Sequence, residues 1–285
     1  MPRPEPAPGA RNYVLLILDS CRFDAFVAAK PPCMSRLGPL ERRFSYASWT
    51  SPAHFNLLMG LLPHPSPQHI FASAYYKKSL LRFQDRLGFE GLSFSGMIPR
   101  LWLPDYLRNT AGYFTRALVS MPVLNPRTPI AADFDSYVLV DRHNDLSAMV
   151  DQMVFSAARP TFYLLNTGET HYPYAPPDEP PSQWPRIHGV HGIFRQVSAG
   201  QPIHAQQSPR FFNADRLAEL RQRQIDVLAH VDRAVEKLFD HLPRDTYVTI
   251  TSDHGELFGE DGYFGHGPIN HPKVLEVPLI EGRLR

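Results

Sequence analysis

The sequence predicts an α/β fold in which a mostly parallel central sheet is flanked by helices on both faces. An apolar run at 13–18 is typical of a strand that is buried on both sides, and a run rich in β-branched residues at 246–251 is typical of a second strand near the other end of the chain. Amphipathic segments alternate with further apolar runs between them, as expected for helices that connect parallel strands. We expect a disordered, proline-rich leader over residues 1–10 and one domain over residues 11–285.

The composition is that of an ordinary globular protein. Of the 285 residues, 43% are hydrophobic and 20% are charged, and the formal net charge is +1. So small a charge creates no broad field for nucleic acid or an anionic membrane, and neither is an expected partner. No apolar run approaches the roughly 18 residues of a membrane span, and no secretory signal is recognisable, so we expect a cytoplasmic protein. The sequence leaves the oligomeric state open.

The first strand, 13–18, ends at Asp19 and precedes a short helix over 22–30. A second helix has clear boundary residues. Ser51 is a candidate N-cap, Pro52 suits the first helical position and Gly60 suits the C-terminal end. Thr50 should therefore lie just ahead of a helix N-terminus.

The middle of the chain is less regular. We expect a surface helix over 77–87, a strand over 91–95 and an irregular segment over 99–129. An amphipathic helix over 145–158 should lead into a third buried strand at 161–165.

The last part of the chain begins with the longest stretch without periodicity, 175–212, which is either a functional lid or disordered. Asn213 should cap a long helix with a core-facing leucine and valine stripe. The strand that ends before Asp253 follows, and a short strand over 277–280 comes last.

Polar residues follow three of the predicted strands directly. Asp19 follows the first, Asp253 and His254 follow the run 246–251, and Glu169 and His171 follow the run 161–165. In open α/β sheets, ligands collect at the carboxyl ends of the strands, so Asp19, Asp253 and His254 can meet although the sequence separates them widely. Carboxylates beside an imidazole indicate a metal site. The alternative is that Asp19 caps a helix and Asp253 occupies a turn.

Five motifs follow one another in chain order: the strand ending in Asp19, the stretch from Thr50 to Gly60, and the segments 170–174, 252–256 and 265–267. Together they resemble the alkaline phosphatase superfamily, and most closely its sulfatase-like branch. The resemblance extends from about residue 11 to residue 280. It implies an alkaline phosphatase/sulfatase-like catalytic domain over 11–285. Because the chain ends soon after the strand 277–280, we expect the usual C-terminal subdomain to be absent.

The resemblance also implies roles for single residues. Thr50 matches the nucleophile, and Asp19, Asp253 and His254 match the metal ligands around it. His171 and His266 match positions that contact the transferred group or bind a second metal. Relatives with two metals carry an aspartate where this chain has Thr167, so we expect one metal site and leave the second open. Glu169 is a candidate substitute ligand there, although nothing in the spacing requires it.

The chemistry of these residues is consistent with such a site. A threonine hydroxyl is a poor nucleophile at neutral pH, and a divalent cation activates it by stabilising the deprotonated form. A helix N-terminus beside it provides N–H groups that suit an anionic ester.

Two departures from the sulfatase pattern bear on the expected nucleophile and on the expected metal. Sulfatases mature the cysteine of a Cys-x-Pro-x-Arg motif to formylglycine, but the matching stretch here runs from Thr50 to His54, so formylglycine cannot form. Ser20 stands where many calcium-binding sulfatases carry a second aspartate. With an imidazole among the ligands, zinc or manganese suits the site better than calcium. His54 itself more often packs than binds at such a position.

The sequence therefore predicts a metal-dependent hydrolase or phosphotransferase that cleaves a phosphate mono- or diester of a soluble small molecule through Thr50. Two alternatives remain. One is a sulfate-ester hydrolase that works without formylglycine. The other is a catalytically degenerate, metal-binding regulatory protein.

Overall fold

A computed structural model describes residues 3–67, 70–98, 100–185 and 213–285 of the chain. Within these residues, a seven-stranded sheet has the order β2-β9-β6-β1-β5-β3-β4, and β7 and β8 form a separate hairpin. The strands are β1 Tyr13–Leu18, β2 Glu41–Phe44, β3 Phe114–Val119, β4 Ser136–Leu139, β5 Thr161–Thr167, β6 Tyr247–Thr251, β7 Leu257–Phe258, β8 Phe264–Gly265 and β9 Glu276–Arg283. Pairing is parallel from β6 to β4 and antiparallel at β9 and β2.

Helices cover both faces of this sheet. They are α1 Phe23–Ala29, α2 Pro32–Ser35, α3 Thr50–Leu58, α4 Ala72–Lys78, α5 Arg82–Leu87, α6 Phe94–Met97, α7 Leu103–Asn109, α8 Leu146–Asp151, α9 Ala214–His241 and α10 Pro272–Leu275. In the part of the chain that the structure describes, no helix is both long and apolar enough to cross a bilayer.

Strand β1 shows how the two faces are filled. Its side chains alternate: Tyr13, Leu15 and Ile17 join the core that contains α3, α4, α5 and α7. Val14, Leu16 and Leu18 join the opposite core, which contains α1, α8 and α9. Every residue of the strand is fully buried, and each large apolar side chain contributes about 1.5–3 kcal/mol by its burial. The predicted α/β class with a mostly parallel, doubly covered sheet is confirmed.

The long helix α9 also forms as predicted. The Asn213 side chain accepts hydrogen bonds from the backbone N–H groups of Asp215 and Arg216, which otherwise lack partners at a helix N-terminus. The predicted stripe is buried throughout: Leu217, Leu220, Leu228, Val231, Val235 and Leu238.

Helix α3 begins two residues earlier than predicted. Trp49 occupies the N-cap position and Thr50 is the first helical residue, while Ser51 lies in the first turn. Proline fits anywhere in that turn because its missing N–H would have no helical partner there, so Pro52 alone could not set the boundary.

Three predictions for the middle of the chain are wrong. The segment 91–95 forms no strand, because the Ser93 side chain accepts a hydrogen bond from the Gly96 N–H and caps α6 instead. The segment 99–129 is not irregular, since it contains α7 and the sheet strand β3. The helix predicted over 77–87 is two helices whose inner face is buried, and Phe83 is fully enclosed.

The helix predicted over 145–158 ends at Asp151. Beyond it, the Tyr163 hydroxyl contacts both the N–H and the carbonyl of Val154, at 2.8 and 3.1 Å. These contacts hold the chain in a turn that leads back into β5, and the Val154 side chain is exposed.

Residues 3–10 make contacts at the edge of the fold. Arg159 donates a hydrogen bond of 2.5 Å to the Pro4 carbonyl, and it pairs with Glu5. The division into a leader and one domain stays a prediction. Of the segment 175–212, residues 186–212 lie outside the described residues, so its role as a lid also stays a prediction.

A buried ion cluster joins β9 to α5. The Glu281 carboxylate accepts hydrogen bonds from Arg86 at 2.8 and 3.1 Å and from Arg82 at 2.7 Å, and both Glu281 and Arg86 are less than a tenth exposed. Burial alone would raise the pKa of Glu281, but the two guanidinium groups hold it below its ordinary value of 4.5.

We expect Glu281→Gln to lower the free energy of unfolding by about 3–5 kcal/mol at neutral pH, because it leaves Arg86 buried without a counter-charge. Since the folded-state pKa of Glu281 is depressed, its stabilisation is complete above the unfolded-state pKa and is lost as the pH falls through the folded-state value. Urea unfolding at neutral and strongly acidic pH measures this, and the difference in unfolding free energy between parent and variant should narrow in acid.

Glu276→Gln, on the same strand, is the control. It should cost at most about 1 kcal/mol, because the Glu276 carboxylate pairs with Arg42 at 3.7 Å and the Arg42 side chain is largely exposed. If the difference in unfolding free energy between the parent and Glu281→Gln did not change with pH, the stabilisation could not come from the ionised Glu281 carboxylate.

Candidate active site

Three of the predicted site residues form one buried cluster at the carboxyl ends of adjacent strands. Asp19 follows β1, and Asp253 and His254 follow β6, which pairs with β1 in parallel. One potential ligand atom from each residue lies within 4.8 Å of the others, and all three side chains are fully buried. The sheet therefore brings together groups from opposite ends of the sequence.

The two oxygens of Asp253 have different environments. Oδ1 accepts hydrogen bonds from the backbone N–H groups of Ser20, at 3.1 Å, and His254, at 2.9 Å. Oδ2 is buried and has no hydrogen-bond partner among the described residues, and it lies 3.3 Å from His254 Nε2. A buried carboxylate oxygen without a donor is costly, and a cation at this point would satisfy it.

The His254 ring is oriented for ligation. Its Nδ1 lies 2.9 Å from the Gly255 carbonyl, which can only accept, so we assign the ring proton to Nδ1 and the lone pair to Nε2. Burial, with the neighbouring His266, lowers the pKa of His254 to about 3, so the imidazole is neutral at neutral pH. Gly255 permits this turn because a Cβ there would lie 2.2 Å from the Lys273 carbonyl oxygen.

Asp19 is held by donors from two other elements. Asn166, in β5, donates to Oδ2 at 3.0 Å, and the Ser20 hydroxyl donates to Oδ1 at 3.2 Å. The Thr170 hydroxyl donates to the Asp19 carbonyl at 2.7 Å. Burial raises the pKa of Asp19, and the nearby Asp253 carboxylate raises it further. Two buried carboxylates side by side with a neutral imidazole are the donor set of a divalent transition-metal site.

Thr50 lies at the same point. Its Oγ1 is 3.3 Å from His254 Nε2, and the residue is 5% exposed at the N-terminal end of α3. The predicted nucleophile is thus directed at the predicted metal ligands, where backbone N–H groups of the first helical turn are also available to an anion.

His171 and His266 lie beside this cluster. The His266 ring is centred 4.3 Å from the His254 ring and 5.4 Å from the His171 ring. His266 Nδ1 is 3.2 Å from a Glu256 oxygen, and the other Glu256 oxygen accepts a hydrogen bond from Tyr174. Burial alone would lower the pKa of His266, but the Glu256 carboxylate raises it above its ordinary value.

Glu169 is directed elsewhere. One oxygen accepts a 2.7 Å hydrogen bond from the Leu146 N–H at the start of α8, and the other accepts from the Thr167 hydroxyl. Burial raises the pKa of Glu169 to about 7. The structure does not bring this carboxylate into the cluster of Asp19, Asp253 and His254.

His54 is part of the site, although its sequence position favoured packing. Its Nδ1 lies 2.8 Å from the Thr50 carbonyl and 3.7 Å from Asp253 Oδ2. Its Nε2 is buried without a hydrogen-bond partner among the described residues. The spacing of four residues from Thr50, which places both on one helix face, is the sequence signal for this proximity.

Gln224 was also missed. Its amide Nε2 donates to the carbonyls of Ser20, at 3.0 Å, and Thr170, at 2.8 Å, and so connects the loops that carry Asp19 and His171. The signal was present, because this polar residue lies four positions after Leu220 and four before Leu228 in the buried stripe of α9.

The family model described as Sulfatase matches residues 11–280. The chain belongs to the Sulfatase family. The predicted resemblance is confirmed. Among curated proteins, none matches the sequence.

Solved structures share the fold of this Sulfatase-family protein at low identity. The C-terminal periplasmic domain of EptC from Escherichia coli, in complex with Zn, has a TM-score of 0.57 and 15% identity over 98% of this chain and 74% of that one. The phosphonate monoester hydrolase of Agrobacterium radiobacter has a TM-score of 0.54 and 16% identity over 95% of this chain and 68% of that one. A 2-O GAG sulfatase, BT1596, has a TM-score of 0.58 and 12% identity over 96% of this chain and 64% of that one. These likenesses establish the fold.

Proposed function

We propose that this Sulfatase-family protein is a metal-dependent phosphoric-ester hydrolase or phosphotransferase with Thr50 as its nucleophile. The observation that carries the proposal is the position of the Thr50 hydroxyl, 3.3 Å from His254 Nε2, beside a buried Asp253 oxygen that has no hydrogen-bond donor among the described residues.

Asp19, Asp253, His254 and Thr50 would hold one divalent cation. When bound, the cation neutralises the buried carboxylates, lowers the pKa of the threonine hydroxyl and stabilises charge on the transferred group. We propose zinc or manganese rather than calcium, because an imidazole is among the ligands. The E. coli EptC domain that shares this fold is a complex with Zn, which supports this choice. We leave open a second metal site between His171 and His266.

The residues of the chain supply positioning and charge. Thr50 Oγ1 loses its proton and forms a bond to phosphorus as the bond between phosphorus and the ester oxygen breaks, and the alcohol leaves with that proton. His171 and His266, beside the nucleophile, bind the oxygens of the transferred group. Water or an acceptor alcohol then attacks phosphorus and restores the Thr50 hydroxyl. Such a reaction requires mainly positioning and charge stabilisation.

The substrate we propose is a phosphate mono- or diester of a soluble small molecule, cleaved in the cytoplasm. Sulfate-ester hydrolysis is the second candidate, since the family model is named Sulfatase and a sulfatase shares the fold. We favour phosphate because position 50 is threonine rather than the cysteine from which sulfatases form formylglycine.

Turnover of matched aryl phosphate and aryl sulfate esters by zinc- and manganese-loaded protein tests the proposal. We expect phosphate release and, after acid quenching, a phosphorylated peptide that contains Thr50, detected by mass spectrometry. Sulfate release without phosphate release would favour the second candidate. Stoichiometric metal with neither release would indicate a regulatory, metal-binding protein.

A further inference from the structure

The hairpin of β7 and β8 sets a carboxylate opposite a histidine of the candidate site. Leu257 pairs with Gly265 in antiparallel register. One position further along each strand, the same register sets Glu256 across from His266. Residues that face each other in this way are close enough to interact, so the hairpin brings these two side chains together.

Glu256 contacts two side chains, one through each carboxylate oxygen. Oε1 lies 3.2 Å from His266 Nδ1, and Oε2 accepts a hydrogen bond from the Tyr174 hydroxyl. Glu256 is 2% exposed and Tyr174 is 1% exposed, so water hardly competes for these contacts. Because an ionised carboxylate can only accept, we assign a proton to His266 Nδ1.

Tyr174 anchors the carboxylate to the rest of the fold. Its ring packs against Phe258 of the hairpin, with 5.5 Å between the ring centroids, and both residues belong to a small core that also contains Leu220 of α9. Tyr174 follows His171 by three residues. Its hydrogen bond to the carboxylate therefore joins the loop of His171 to the hairpin that carries His266.

The contact with Glu256 also determines which nitrogen of His266 is free. A hydrogen bond at one ring nitrogen fixes the tautomer and the orientation of an imidazole. With Nδ1 directed at the carboxylate, Nε2 lies on the other side of the ring. The ring itself lies beside His254 and His171, with 4.3 and 5.4 Å between the ring centroids.

We propose that Glu256, held by Tyr174, is a positioning residue that orients His266 so that Nε2 contacts an oxygen of the transferred group. The inference rests on the proposed function for one point, that His266 binds this group. Glu256 itself makes no contact with the substrate in this arrangement. Its whole effect on binding therefore passes through the His266 ring.

Binding of inorganic phosphate to zinc-loaded Thr50→Ala protein, measured by calorimetry, tests this without turnover. His266→Ala, added to that protein, should weaken binding about 10- to 100-fold, as expected for the loss of one hydrogen bond to a charged group. Glu256→Ala should weaken binding about tenfold when His266 is present. In protein that already carries His266→Ala, the same change should weaken binding by less than about twofold, because the two residues act as one unit.

Tyr174→Phe covers the case in which Glu256→Ala does not fold. It removes one of the two contacts of the carboxylate, so it should weaken phosphate binding about threefold when His266 is present. In His266→Ala protein it should have no measurable effect. Tyr163→Phe is the matched control, since its buried hydroxyl contacts Val154 rather than a site residue, and it should leave phosphate affinity unchanged.

An equal loss from Glu256→Ala with and without the His266 ring would overturn the inference, and so would unchanged phosphate affinity in His266→Ala protein. Turnover of a phosphate ester by the Thr50 protein is measured separately. Turnover combined with independent losses would contradict only the positioning role. Losses that depend on His266 in a protein that shows no turnover would contradict only the proposed function.

Discussion

Thr50→Ala should lower kcat for phosphate-ester cleavage by on the order of 10⁴–10⁶-fold, because it removes the only atom proposed to bond to phosphorus. Metal content should stay close to that of the parent, since Asp19, Asp253 and His254 still provide three ligands. The measurements are steady-state kinetics on a phosphate ester and elemental analysis of the same preparation.

Ser51→Ala is the matched control. It removes a hydroxyl one residue further along the same helix, and it should change kcat by less than about twofold, because the Ser51 hydroxyl is not proposed to bond to phosphorus and the backbone N–H groups of the turn stay in place. Equal turnover by Thr50→Ala and the parent would exclude Thr50 as the nucleophile. Loss of the metal together with activity would instead make Thr50 chiefly a ligand.

Asp253→Asn should lower metal affinity by more than about 100-fold, since changes at residues that only support a ligand already cost 10–100-fold. The asparagine carbonyl can still accept from the Ser20 and His254 N–H groups, at the position of Oδ1, but an uncharged amide replaces the unpartnered Oδ2. Metal titration and elemental analysis measure the change.

The same variant has a distinctive effect on stability. In the metal-free protein, removing one of two buried carboxylates relieves repulsion with Asp19, so Tm should be equal to that of the metal-free parent or higher. The rise in Tm that metal produces in the parent, by mass action, should disappear. Asp261→Asn, at an exposed carboxylate, should keep both the metal and this rise. Unchanged metal stoichiometry in Asp253→Asn would remove Asp253 from the ligand set.

Much of the site was predictable because its signals are local. Asp19 follows a strand that reads as a continuous apolar run, and Asp253 follows a run rich in β-branched residues. The residue after each strand lies at a sheet edge, which is why both stood out. Thr50 stood out because Ser51 and Pro52, the residues after it, are typical of a helix N-terminus, and because the resemblance matches Thr50 with the nucleophile. The wrong predictions concern segments whose structure depends on tertiary contacts. In β3, for example, Arg116 interrupts the apolar pattern, and the segment is a strand because it pairs with β5.

The directions of several side chains depend on tertiary packing and could not be predicted from the sequence. Glu169 and His171 both follow β5 and are two residues apart, yet Glu169 accepts a hydrogen bond from the Leu146 N–H of α8, while the His171 ring contacts that of His266. His54 and Gln224 acquired their roles only when α3 and α9 packed against the strand exits.

The sequence by itself determined which residue types stand at the strand exits and at the start of α3, because burial, turn and capping preferences act over a few residues. The tertiary structure decided that β6 and β1 are neighbours and that one oxygen of Asp253 is left without a donor among the described residues. Strand order and residual hydrogen-bonding capacity depend on contacts between segments far apart in the chain, and no local pattern encodes them.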